Sequence, residues 1–180
     1  MSAEHEIDSI TFDPKGEFPF STRDYLLHLL TIIAQFRDST LDSRLRPLGL
    51  NVSRYRTMAV LSRFGACTMT EVASFTGMDR TTLTRVADQL VASGWAERLS
   101  EAKDRRQVLL QFTETGREVY MEAVKILLEV NAQLVEGLPE STRRDTARVL
   151  MRIVDNVAPN PMARNGIIHF SREGLDAGGD

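Results

Sequence analysis

The 180-residue sequence predicts a mainly α-helical fold with a small β-wing. Three observations predict it. Apolar residues recur at helical spacing through residues 21–47 and again through 114–158. Between these stretches lies a run of short segments punctuated by glycine. Near its end, two strand-like runs, 95–99 and 108–112, flank a charged loop.

Composition narrows the class. Hydrophobic residues make up 42% of the chain, enough to bury a core and too many for a disordered chain. No apolar run approaches the ~20 residues needed to cross a bilayer, and the acidic start MSAEHEIDSI has no apolar signal core. Cys67 stands alone, so no internal disulfide forms, and a cytoplasmic location is expected. The net charge is −3, but residues 51–106 carry nine basic side chains against six acidic ones. A locally basic segment on an acidic body is compatible with phosphate binding.

Residues 1–20 read as an extended acidic arm, since Pro14, Gly16 and Pro19 oppose regular structure. Ser21 is placed to cap a helix with Asp24 three residues on, and Phe20 and Tyr25 are placed for a hydrophobic staple. Leu26, Leu29, Leu30, Ile33 and Phe36 keep the helical period, which continues through Leu41 and Leu45 to Pro47 and Gly49. Asn51 or Ser53 caps a second helix with Tyr55, Met58, Ala59 and Leu61 inward, ending near Phe64 and Gly65. Thr70 opens a short helix that stops at Gly77. Asp79 caps the next, whose apolar stripe is Leu83, Val86, Ala87, Leu90 and Val91, with Gly94 at its C-terminal cap. After the two strands, one long helix carries Val119, Ala123, Val124, Leu127, Leu128, Asn131 and Leu134 on one face and ends at Gly137. A last helix begins near Pro139 with Val149, Leu150, Ile153, Val154 and Val157 inside. A tail follows Pro159.

Two helices, 70–76 and 79–93, joined by a tight turn at Gly77 have the spacing of a helix–turn–helix, and the following hairpin makes it winged. In that motif the second helix enters the major groove of double-stranded DNA. With the apolar stripe turned inward, the opposite side presents Arg80, Thr81, Thr82, Thr84, Arg85 and Asp88. Threonine suits base edges or a thymine methyl, and arginine suits guanine or phosphate. An isolated amphipathic helix of this kind would be a solvated surface. Here the preceding helix, the turn and the wing occur in order. Lys103, Asp104, Arg105 and Arg106 crowd the loop, where arginines suit the narrow minor groove and Asp104 suits an orienting pair with arginine.

Three runs carry a family resemblance: LGLNVSRYRTMAVL, TMTEVASFTGMDRTTLTRVADQLVASGWAERL and EAKDRRQVLLQFTETG. Together they resemble the multiple antibiotic resistance regulator (MarR) family, with a layout covering about residues 21–157. In the wing pattern Glu101 and Lys103 stand where the family usually has Asp and Arg, while Asp104 and Arg106 fit it. The resemblance implies a homodimer built by the first and last helices, which reads a pseudo-palindromic operator, usually as a repressor. It implies Thr81, Thr82, Thr84 and Arg85 in the major groove and Arg106 in the minor groove. Arg105 and Lys103, with Arg80 and Ser53, fall to phosphate. It also implies release by a small effector, often an aromatic acid, for which Arg23, His28, Arg54 and Arg56 are the candidates.

The organisation expected is therefore an arm (1–20), a dimerisation helix (21–47), a winged helix–turn–helix lobe (48–113), C-terminal dimerisation helices (114–158) and a tail (159–180). Two readings compete with a regulator. An enzyme is disfavoured because the histidines at 5, 28 and 169 are scattered and no metal-ligand or nucleophile motif occurs, so no cofactor is expected. A protein-interaction module with the winged fold remains open. A thiol sensor through Cys67 is the other variant, but in relatives such cysteines lie on the first helix, and a structural thiol is expected.

Overall fold

The computed structural model describes residues 22–100 and 108–157. The chain divides after Phe36 into two compact units. The first contributes the opening half of helix α1 (Thr22–Leu45), where Tyr25, Leu26, Leu27, Leu29, Ile33 and Phe36 are all exposed. The expected Ser21 cap, the Phe20 staple and the arm lie outside the described residues.

The second unit begins with the rest of α1, whose Leu41 and Leu45 are buried. A 3-10 turn over Arg46–Leu48 ends the helix at Pro47, which cannot continue an α-helical ladder. Gly49 follows with φ 72°, a left-handed conformation open to glycine, and Trp95 packs where its Cβ would stand. Asn51 caps helix α2 (Val52–Phe64), accepting the Arg54 N–H at 2.8 Å, while Asp42 accepts the Val52 N–H at 2.6 Å. That settles the choice between Asn51 and Ser53. Tyr55, Met58 and Leu61 face the core as expected, joined by Val52, Thr57 and Val60, while Ala59 is only half-buried.

Strand β1 (Cys67–Thr68) was not foreseen, and it moves the start of the next helix. Helix α3 (Met69–Thr76) is opened by Thr68, not Thr70. The Thr68 hydroxyl accepts the Glu71 N–H at 3.2 Å, and the Glu71 carboxylate accepts the Thr68 N–H at 2.8 Å. Such a reciprocal box satisfies donors that Thr70, two residues too late, leaves open. Helix α4 (Arg80–Ala92) buries Leu83, Val86, Ala87 and Leu90, with Val91 half-buried and Gly94 left-handed beyond its end.

Strands β2 (Ala96–Ser100) and β3 (Val108–Phe112) pair antiparallel with Ala96 opposite Phe112 and Ser100 opposite Val108. β1 pairs on the other side of β3, Cys67 opposite Leu110, so the sheet order is β1-β3-β2. The pairing extends the expected two-stranded wing to three strands. Leu110, Phe112, Ala96 and Cys67 turn into the core.

Thr113 caps helix α5 (Glu114–Leu134), accepting the Gly116 N–H at 3.0 Å and donating to the Gly94 carbonyl at 2.7 Å. A Cβ on Gly116 would stand 1.9 Å from the Trp95 carbonyl oxygen, so no side chain fits there. α5 buries Ala123 and Val130 but leaves Leu128 61% exposed and Leu134 open, contrary to the single inward face expected. It also unwinds earlier, at Leu134 rather than Gly137, through tight turns at Val135 and Glu136. Helix α6 (Glu140–Val157) buries none of its residues, and Val149 and Val157 are exposed. No described helix is long and apolar enough to cross a membrane.

Candidate nucleic-acid interface

The α3–α4 corner is built by local chemistry. Gly77, left-handed at φ 69°, sends its N–H to the Ala73 carbonyl at 2.9 Å and turns the chain. The Thr76 hydroxyl closes on the Val72 carbonyl at 2.8 Å. Asp79 then caps α4, one carboxylate oxygen accepting the Thr82 N–H at 2.9 Å and the other the Thr82 hydroxyl at 2.6 Å. Those bonds, chiefly the Thr82 hydroxyl and then its backbone N–H, hold the Asp79 carboxyl below its usual range.

With Leu83, Val86, Ala87 and Leu90 inward, α4 turns Arg80, Thr81, Thr82, Thr84, Arg85 and Asp88 to solvent. Arg80, Thr81, Thr84, Arg85 and Asp88 border one shallow depression. The five sequence candidates on this helix thus share a face with Asp88, but not in equal readiness. Thr82 has its hydroxyl proton committed to Asp79, and Thr84 donates to the Arg80 carbonyl at 2.8 Å. Their methyls and acceptor lone pairs stay available. Arg80 and Arg85 form no ion pair with another described residue. Asp88 does: Arg98 on β2 reaches it at 2.6 Å.

Ser53 sits half-buried in the first turn of α2, its carbonyl accepting from Thr57. Lys103, Asp104, Arg105 and Arg106 lie outside the described residues.

The effector candidates separate. Arg54 is tied inward, its Nε donating to Gln89 at 3.1 Å and an Nη to the Gly49 carbonyl, so it braces α2 against α4. Arg56 instead borders a cavity of about 550 Å³ with Arg37, Tyr55, Phe64, Phe75 and Asn131. Asp38 bridges the two arginines there, at 2.8 Å from Arg56 and 3.4 Å from Arg37, while Arg37 Nε donates to Asn131 at 3.1 Å. Phe64 and Phe75 stack with centroids 4.3 Å apart. His28 is exposed on the first half of α1, and Arg23 lies on that helix too. Arg37, Asp38, Asn131 and the phenylalanine pair were missed. The FRD run, charge interrupting an apolar stripe, was the available signal.

Cys67 is buried, and its Sγ–H faces the Gly65 carbonyl at 3.5 Å. Burial, then the nearby Glu71 charge, pushes the thiol up to about 11. Burial and the neighbouring Tyr120, stacked at 5.8 Å, likewise raise the Tyr55 phenol.

The helix–turn–helix on a three-stranded sheet, with a polar face on its second helix, defines a winged helix–turn–helix protein. Residues 48–107 match the family model described as MarR family. The multiple antibiotic resistance protein MarR of Escherichia coli K12 is 26% identical over 131 residues, spanning 73% of this chain and 89% of that protein. MarR of Salmonella typhimurium is 30% identical over 91 residues, 51% of this chain and 63% of that one. The crystal structure of apo wild-type E. coli MarR superposes with a TM-score of 0.61 at 25% identity, covering 74% of this chain and 97% of that one. A mutant E. coli MarR in complex with operator DNA gives a TM-score of 0.66 at 24% identity, covering 72% and 93%. The Bordetella bronchiseptica BpsR structure, described as regulated in DNA binding by 6-hydroxynicotinic acid, gives 0.66 at 23%, covering 72% and 98%. Over residues 48–107 the chain is similar to the MarR family, and its fold is that of a winged helix–turn–helix protein.

Proposed function

We propose that the chain is a ligand-responsive transcriptional regulator. In this reading it binds a pseudo-palindromic operator as a homodimer, represses, and is released by a small aromatic acid. One observation carries it: the outward face of α4, where Arg80, Thr81, Thr84 and Arg85 border one depression and neither arginine is held by a described carboxylate. Two-fold pairing places two such faces about one DNA turn apart. The exposed apolar side chains of α1, α5 and α6 support pairing, since leaving them in water costs ~25 cal/mol per Å². The operator complex of the E. coli relative supports DNA as partner.

The test is selection of duplexes from a random pool, followed by anisotropy titration of the enriched sequence. Enrichment of an inverted repeat is expected, with affinity lost in Arg85→Ala. A pool that stays random, or an Arg85→Ala variant that binds as well, favours the protein-interaction module instead.

For the effector, the cavity beside Arg56 is the site the geometry favours. An incoming carboxylate would compete with Asp38 for Arg56 and Arg37, and the Phe64–Phe75 stack suits an aromatic ring. A ligand acts only through unequal affinity for the DNA-competent and incompetent states. A thermal-shift screen of aromatic carboxylates should give hits that release operator, with the shift lost in Arg56→Gln. Burial and a raised thiol pKa argue against the alternative of a thiol sensor at Cys67.

A further inference from the structure

The α4 face carries one feature that DNA binding alone would not select. Asp88 borders the same depression as Arg80 and Arg85, where an uncompensated carboxylate would meet phosphate oxygens. Asp79, the acid that caps this helix, has both oxygens engaged by Thr82. Asp88 takes no hydrogen bond from its own helix. Its partner among the described residues is Arg98 from β2, 2.6 Å away. Neighbouring Glu97 is engaged separately by Gln111 at 2.9 Å.

We propose that Arg98 is a positioning residue for DNA binding: it cancels the charge of Asp88 and so keeps the groove face of α4 cationic. The role is electrostatic. Both side chains are substantially exposed, at 40% and 57%, where an ion pair contributes little to folding. A bare carboxylate within a few ångströms of the phosphates is another matter, because it opposes the counterion release that drives association. The proposal rests on the DNA reading above.

The experiment measures operator affinity and its salt slope for wild type, Arg98→Gln, Asp88→Asn and the double variant, each checked for an unchanged melting temperature. Arg98→Gln should bind about fivefold to tenfold more weakly, with a slope shallower by about one unit. Asp88→Asn should bind at least as tightly as wild type. Adding Asp88→Asn to Arg98→Gln should restore affinity to within about twofold, and Arg98→Lys should bind normally. Equal weakness of the single Arg98→Gln and the double variant would overturn the proposal, because Arg98 would then act by touching DNA itself. Weakness of Asp88→Asn alone would also overturn it, since the strand-to-helix tie would be what matters. A wild type that selects no duplex removes the DNA reading and this proposal together. A wild type that binds, with Arg98→Gln unaffected, removes only the proposal.

Discussion

Arg85 and Arg80 reach from α4 with no described carboxylate to hold them, so an incoming base or phosphate need not displace a partner. Replacing Arg85 or Thr84 with alanine should relax base preference locally. The cost of a lost base contact is ~1–3 kcal/mol, read by a footprint across operator variants. Arg106→Ala should instead lower the salt slope of binding by about one unit with preference largely kept. Cys67 gives the opposite kind of expectation. With its thiol pushed to about 11, alkylation should accelerate only as pH rises toward that value, and peroxide should leave operator binding equal in wild type and Cys67→Ser. Operator release by peroxide in wild type alone would contradict this. The sequence reading recovered the α4 face residue by residue because a helical period and one capping acid, Asp79, define which side is out. It did not foresee the partners of Arg54, which are Gln89, 35 residues away, and the carbonyl of Gly49. Nothing local to Arg54 announces a bond to another helix.

At the scale of elements, caps decide where the reader begins. The Asp79 carboxyl is held below its ordinary value by the N-terminal bonds of α4. A depressed pKa contributes stability that is full above the unfolded value, near 4, and is lost as pH falls through the folded one. Melting temperatures of wild type and Asp79→Ala should therefore differ at pH 6–7 and converge as pH is lowered below about 4. Gly116 sets the entry of α5: its missing side chain lets the first turn lie on the Trp95 carbonyl. Gly116→Ala should lose at least about 3 kcal/mol, a fall of roughly 6–12 °C in Tm by calorimetry. Element types and most boundaries were legible from period and capping. β1 was not, because two residues carry no period. Its existence depends on pairing with Leu109 and Leu110, more than forty residues later, and the displaced start of α3 follows from the same omission.

The molecule as a whole leaves apolar side chains on α1, α5 and α6 open, among them Phe36 at 68% and Val157 at 71% exposure. Helical spacing marked these positions as inward, and spacing alone does not say whether the covering surface belongs to the same chain or to another copy. If pairing covers them, the melting temperature should rise with protein concentration. Val157→Asp should abolish that dependence and shift sedimentation toward the single chain. A melting temperature independent of concentration would speak for a monomer. The sheet order has a consequence of its own. Both the strand before α3 and the strand after α4 are laced to β3, so residues 69–95 form an excursion whose two ends are fastened to one strip of backbone. Like a belt closed on a single buckle, such a loop cannot slide at one end while the other stays put. A shift of β3 carries α3 and α4 together, and tension along the chain reaches the reading helix only after one of the two ladders has torn.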